Sequence, residues 1–235
     1  MVGRDAEFRA LVAAAARARQ GEVGLVLVTG EAGIGKSRLV SEFVGGLDDA
    51  LTLVSHGVAM STGEIPFGVL ADLLKNLVGT DPTVLTGDER DALAPLLPGP
   101  KRSGDRITML STALDLLERL SSDRLVLWVV EDLHWADAAS RDLLGVALHT
   151  RPGHRLLVVA TVRTDDPARS SAQELAVTGE IARLAQLRSP RRCTWVDSAS
   201  PTCDASSPGW KSPSTPSPGR ASRSFPAAFL SSSRS

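Results

Sequence analysis

The chain has 235 residues, 43% of them hydrophobic and 23% charged, with a formal charge of −1, a balance that suits one α/β domain or a domain with a tail. Near-neutrality gives no basic field for a nucleic-acid-binding domain, and two cysteines without metal-ligand spacing argue against a disulfide framework. No stretch approaches bilayer-spanning length and the first residues lack a leader pattern, so the expected location is the cytoplasm, with no membrane contact.

Taken in order, Val2-Gly3-Arg4-Asp5 reads by itself as a chain start followed by an Asp cap. Asp5 to Arg19 carries Phe8, Leu11, Val12 and Ala15 at helical spacing and stops at Gly21. Leu25 to Val28 is an apolar run of strand type, and Gly30-Glu31-Ala32-Gly33-Ile34-Gly35-Lys36-Ser37 follows at once, matching G-x-x-x-x-G-K-[ST]. This order of residues suits a triphosphate. The glycines let the backbone turn without a Cβ, and N–H groups at a helix start meet the negative charge. Lys36 reaches the β- and γ-phosphates and the Ser37 hydroxyl takes a Mg²⁺. The candidate nucleotide-binding stretch runs through Arg38. A helix over Lys36 to Val44 buries Leu39, Val40 and Phe43 and ends at Gly45-Gly46.

Leu51 to Val58 is the second predicted strand, and Pro66 to Val78 is a helix with Phe67, Leu70, Leu73, Leu74 and Leu77 on one face. Gly79 to Gly104, rich in turns and prolines, is expected to be a mobile surface excursion with a short helix near Asp88 to Ala94. Arg106 to Leu120 returns to helix, with Leu110, Ala113, Leu114, Leu117 and Leu120 as its stripe.

Leu125 to Val130 is a strand buried on both faces that delivers Glu131 and Asp132 at its carboxyl end. Such a pair serves a Mg²⁺-nucleotide enzyme, one acid fixing the metal and the other orienting the attacking water. The two acids could instead cap the next helix; the phosphate loop upstream favours catalysis. Asp137 is the expected cap of a helix over Ala138 to His149, and His134 beside Trp135 is expected to be packed structure. Arg155 to Val162 is the last clear strand. It ends at Arg163, where a cation can sense a γ-phosphate or simply stand exposed. Ala172 to Leu187 is partly helical.

Composition changes after Arg188. The last 47 residues hold 14 serines, 7 prolines, both cysteines and only two acids against six basic residues. The expected organisation is therefore a domain over 1–188 and a low-complexity, disordered tail over 189–235.

Val2-Gly3-Arg4-Asp5, GEAGIGKS at Gly30 to Ser37, VVEDLHWAD at Val129 to Asp137 and ATVR at Ala160 to Arg163 together resemble the nucleotide-binding domain of STAND-class ATPases. The closest likeness is to the N-terminal ATPase module of large LuxR-type (MalT-like) transcriptional regulators, over about Val2 to Leu187. The resemblance implies a three-layer P-loop fold, AAA-like, with a parallel sheet in the order 5-1-4-3-2, so that the Arg163 strand lies between the phosphate-loop strand and the Glu131 strand. It implies ATP and Mg²⁺ as ligands, with Val2, Gly3 and Arg4 at the adenine pocket and Glu131 and Asp132 near the metal. It further implies a switch that self-associates when active. The fifth strand, helical lid and DNA-binding helix-turn-helix of such regulators are not legible, so direct DNA binding is not expected. The tail is expected to be a truncated or out-of-frame read of a longer gene. Slow ATP hydrolysis and nucleotide binding without turnover both stay open; a small-molecule kinase is disfavoured because no acceptor-substrate lid is seen.

Overall fold

The computed structural model describes residues 4–57, 66–99, 104–149 and 153–163. All of them lie in the first of the two units into which the chain divides, Met1–Cys203 and Asp204–Ser235. Val2, Gly3, the helix expected over 172–187 and the composition boundary at 188 lie outside the described residues.

Continuous Val- and Leu-rich runs favour parallel strands covered on both faces. Here they form β1 (Gly24–Gly30), β2 (Leu51–His56), β3 (Val126–Glu131) and β4 (Leu156–Arg163), in the order β1-β4-β3-β2 with every neighbouring pair parallel. The strand ending at Arg163 thus sits between the phosphate-loop strand and the Glu131 strand, as expected. Among the described residues β1 is an edge, and the residues where a fifth strand is expected lie outside them.

Six α-helices lie among the described residues: α1 (Asp5–Arg19), α2 (Lys36–Gly45), α3 (Gly68–Thr80), α4 (Gly87–Ala92), α5 (Arg106–Ser121) and α6 (Ala138–Ala147). Successive strand residues point to opposite faces, which divides the core in two. Leu11 and Ala15 of α1 and Leu39 and Phe43 of α2 pack against Val26, Val28, Leu127, Val129, Leu157 and Val159. On the other face Leu70 and Leu74 of α3, Leu117 of α5 and Leu144 of α6 cover Trp128, Val130, Val158 and Ala160. The result is a three-layer α/β P-loop NTPase fold with AAA-like topology.

Three local expectations need correcting. Val12 is 44% exposed while Ala14 and Ala18 are buried, because the inward stripe of α1 follows Leu11, Ala14, Ala15 and Ala18 at i, i+3, i+4 and i+7 and leaves Val12 beyond its edge. Asp5 does not cap α1. Arg4 stands at that position, with no side-chain cap, and Asp5 lies in the first turn. The stretch expected as a surface excursion inserts Leu85 and Leu93 into the core, Leu93 at 0% exposure. Thr86 and Glu89 form a capping box on α4, and Arg119 of α5 holds Glu89 through bonds of 3.0 and 2.7 Å. Two leucines eight residues apart give no periodic signal, so only packing reveals their inward side.

Candidate nucleotide site

β1 delivers Gly30 to a loop whose Gly33 and Gly35 have φ of 74° and 96°, a left-handed conformation that costs glycine little and other residues more. Gly35 is the N-cap of α2, so the first N–H groups of that helix open onto the loop. Lys36 is buried, and its ammonium donates to the carbonyls of Gly30 and Glu31, both at 2.8 Å. Glu31, Ala32 and Gly33 form the exposed crest, with Ile34 half-buried behind them. Arg4 donates to the Ile34 carbonyl, and a Cβ on Gly35 would stand 3.6 Å from the Arg4 guanidinium. Arg4 therefore lies against the phosphate loop. Arg38 does not engage the loop through its side chain, which pairs with Glu42 at 3.1 Å along the exposed face of α2.

The Ser37 hydroxyl donates to Glu131 Oε2 at 2.7 Å, which joins the start of α2 to the end of β3. Asp132 adopts φ 52° and ψ 47°, and its N–H donates to Thr161 Oγ1 at 2.9 Å. The Asp132 carbonyl packs on Gly57, where a Cβ would sit only 2.2 Å from that oxygen. The Asp132 side chain is half exposed, its Oδ1 4.0 Å from His134 Nδ1. His134 is fully buried and its ring lies 5.3 Å from that of Trp135, which agrees with a packing role.

Arg163 ends β4 directly opposite Gly30 in the ladder, and His56 ends β2 opposite Glu131. Lys36, Ser37, Glu131 and Arg163 are therefore gathered at the carboxyl edge of the sheet, where open α/β sheets bind ligands. Sequence reasoning passed over three features of this edge. Thr161 stands inside a run of apolar residues; its polarity there was the available signal. His56 Nδ1 lies 2.8 Å from Asp72 Oδ2 of α3, whose hydrogen bond raises the imidazole pKa; burial opposes the rise, and the charges of Asp72, Glu131 and Asp132 add to it. Asp137 caps α6 as expected, but it also accepts the N–H groups of Phe67 and Gly68 at the start of α3, at 2.9 and 3.0 Å.

Residues 1–159, more than half of the chain, match the model of the AAA ATPase domain family. The chain belongs to the AAA ATPase domain family. No curated protein matches the chain. Among solved structures it is similar to the Walker-type ATPase of Pyrococcus abyssi, with 14% identity, a TM-score of 0.47 and coverage of 83% of this chain and 54% of that one. It thus spans about half the length of the Pyrococcus protein. Drosophila ORC bound to DNA gives 12% identity and a TM-score of 0.43, with coverage of 81% of this chain and 89% of that one. The domain is a nucleotide-binding domain of the ATP type, and no helix among the described residues is long and apolar enough to cross a membrane.

Proposed function

We propose that the chain is a switch domain that binds Mg-ATP at Gly30 to Ser37 and hydrolyses it slowly, as the ATPase module of a LuxR-type STAND regulator. The family, the gathered strand ends and the combined VGR, GKS, VVEDLHWAD and ATVR motifs support this assignment. The observation that carries it is the 2.7 Å contact between Ser37 Oγ and Glu131 Oε2. A serine hydroxyl and a carboxylate brought side by side are the hard oxygen donors that Mg²⁺ takes, so the donor set fits that ion. Ser37 and Glu131 would hold the ion, which would supply positive charge to offset that of the phosphates.

The chain's own residues divide the remaining work. Lys36, now satisfied by two loop carbonyls, can exchange them for phosphate oxygens at a charge-assisted gain. Glu131, which faces Ser37, is the acid on the metal side, and the half-exposed Asp132 is the candidate for orienting water. Arg163, across from Gly30, would sense a γ-phosphate, and Arg4 with Val2 and Gly3 would border the base. Self-association through this domain is the expected output of the switch.

Phosphate release and a thermal-shift titration with Mg-ATP test the assignment together. A ligand held at about 100 times its dissociation constant should stabilise the fold by roughly 2.7 kcal/mol. Lys36→Ala should abolish both the shift and the phosphate release. A shift that survives this substitution places the nucleotide elsewhere, and a Lys36-dependent shift without phosphate release would identify binding without turnover.

A further inference from the structure

We propose that Thr161 is a positioning residue whose hydroxyl holds the Glu131–Asp132 turn so that the Glu131 carboxylate stays beside Ser37; this rests on the Mg-nucleotide assignment above. The ladder between β3 and β4 ends at Val130 and Ala160, whereas β4 stays paired with β1 as far as Gly30 and Arg163. The two strands therefore part where Glu131 begins. Past that point the Asp132 N–H has lost its rung, and the Thr161 hydroxyl accepts it at 2.9 Å. The same hydroxyl donates its proton to Glu131 Oε2 at 3.5 Å, the long end of hydrogen-bonding range. Thr161 is 1% exposed, which shields its own hydroxyl from bulk water. Its β-branched side chain has few χ1 states in a strand, which keeps the oxygen in place.

Glu131 Oε2 is thus shared between the phosphate-loop serine and a threonine on the central strand. The left-handed Asp132 is held from two sides, by the Thr161 oxygen on its N–H and by the close approach of Gly57 to its carbonyl. Groups that orient a metal ligand in this way govern metal affinity without touching the metal.

The test is a titration of the full chain with the fluorescent analogue mant-ATP, in Mg²⁺ and in EDTA, for wild type, Lys36→Ala, Thr161→Val and Thr161→Ser. Thr161→Val keeps shape and removes the hydroxyl; it should bind the metal-free analogue like wild type but lose about tenfold or more of the affinity gained from Mg²⁺. Thr161→Ser should retain that gain. If Thr161→Val does not fold, judged by far-UV circular dichroism, Thr161→Ala takes its place. A wild-type gain in the hydroxyl-free variant, or a serine variant as impaired as the valine one, overturns the proposal. Wild-type binding with no gain from Mg²⁺ overturns the metal placement and this inference with it. No binding by wild type, or equal binding by Lys36→Ala, removes the nucleotide site itself, whereas binding with an unmoved Thr161→Val removes only the role of Thr161.

Discussion

Replacing Asp137 by alanine removes one carboxylate and uncaps two helices. The side chain is 5% exposed and accepts from the N–H groups of Phe67, Gly68 and Ser140 at 2.9, 3.0 and 3.0 Å and from the Ser140 hydroxyl at 2.5 Å. Loss of an N-cap costs about 1 kcal/mol and up to about 2 where it is buried and charged. Two caps, with N–H donors left unpaired, put the loss near 3–4 kcal/mol. For a domain of this size each kcal/mol lowers Tm by about 2–4 °C, so the melt should fall by roughly 6–16 °C. Asp137→Asn keeps one acceptor oxygen and should lose about half as much. Burial pushes the Asp137 carboxyl up, but the combined bonds from Ser140, Phe67 and Gly68 outweigh it and hold the folded value below the ordinary one. The stabilisation is then complete above the unfolded value of about 3.9 and is lost as pH falls through the folded value. Melting of wild type and Asp137→Ala should therefore converge on acidification. A Tm within about 2 °C of wild type at neutral pH would refute the double-cap account.

The pair of His56 and Asp72 works in the opposite sense. Because the folded imidazole pKa is raised, its stabilisation is present below about pH 6.5 and is lost as pH rises through the folded value, so Asp72→Asn should lower Tm more at about pH 6 than at about pH 9. Equal losses at both would contradict it. Gly57→Ala places a Cβ 2.2 Å from the Asp132 carbonyl oxygen, so the turn must shift; expected are a lower Tm and a weaker Mg-ATP thermal shift, and a wild-type result for both would refute the contact. Leu93→Ala empties a site at 0% exposure and should cost about 2–4 kcal/mol in denaturant melts, whereas a surface leucine would cost almost nothing.

Signals confined to neighbouring residues were legible in the amino-acid order. The phosphate loop could be recognised because a left-handed backbone at Gly33 and Gly35 demands residues without a Cβ, next to a lysine and a serine at set spacing. The bounds of α1 followed from helical periodicity and the stop at Gly21, and the buried Leu39, Val40 and Phe43 of α2 from periodicity. Asp137 shows where such reasoning stops. Its bond to the Ser140 N–H three residues on is a local rule, but its bonds to Phe67 and Gly68 exist only because α3 and α6 start side by side.

The amino-acid order by itself determined that a strand would run through a glycine-rich loop into a helix, and that an acid pair and an arginine would end two further strands. Tertiary structure alone decided that Ser37 meets Glu131, that Thr161 takes the Asp132 N–H and that Leu93 faces inward. The physical reason is range. Backbone conformation and periodicity are written in a few adjacent residues, while a hydrogen bond between strand ends depends on which strands pair and where their ladder stops.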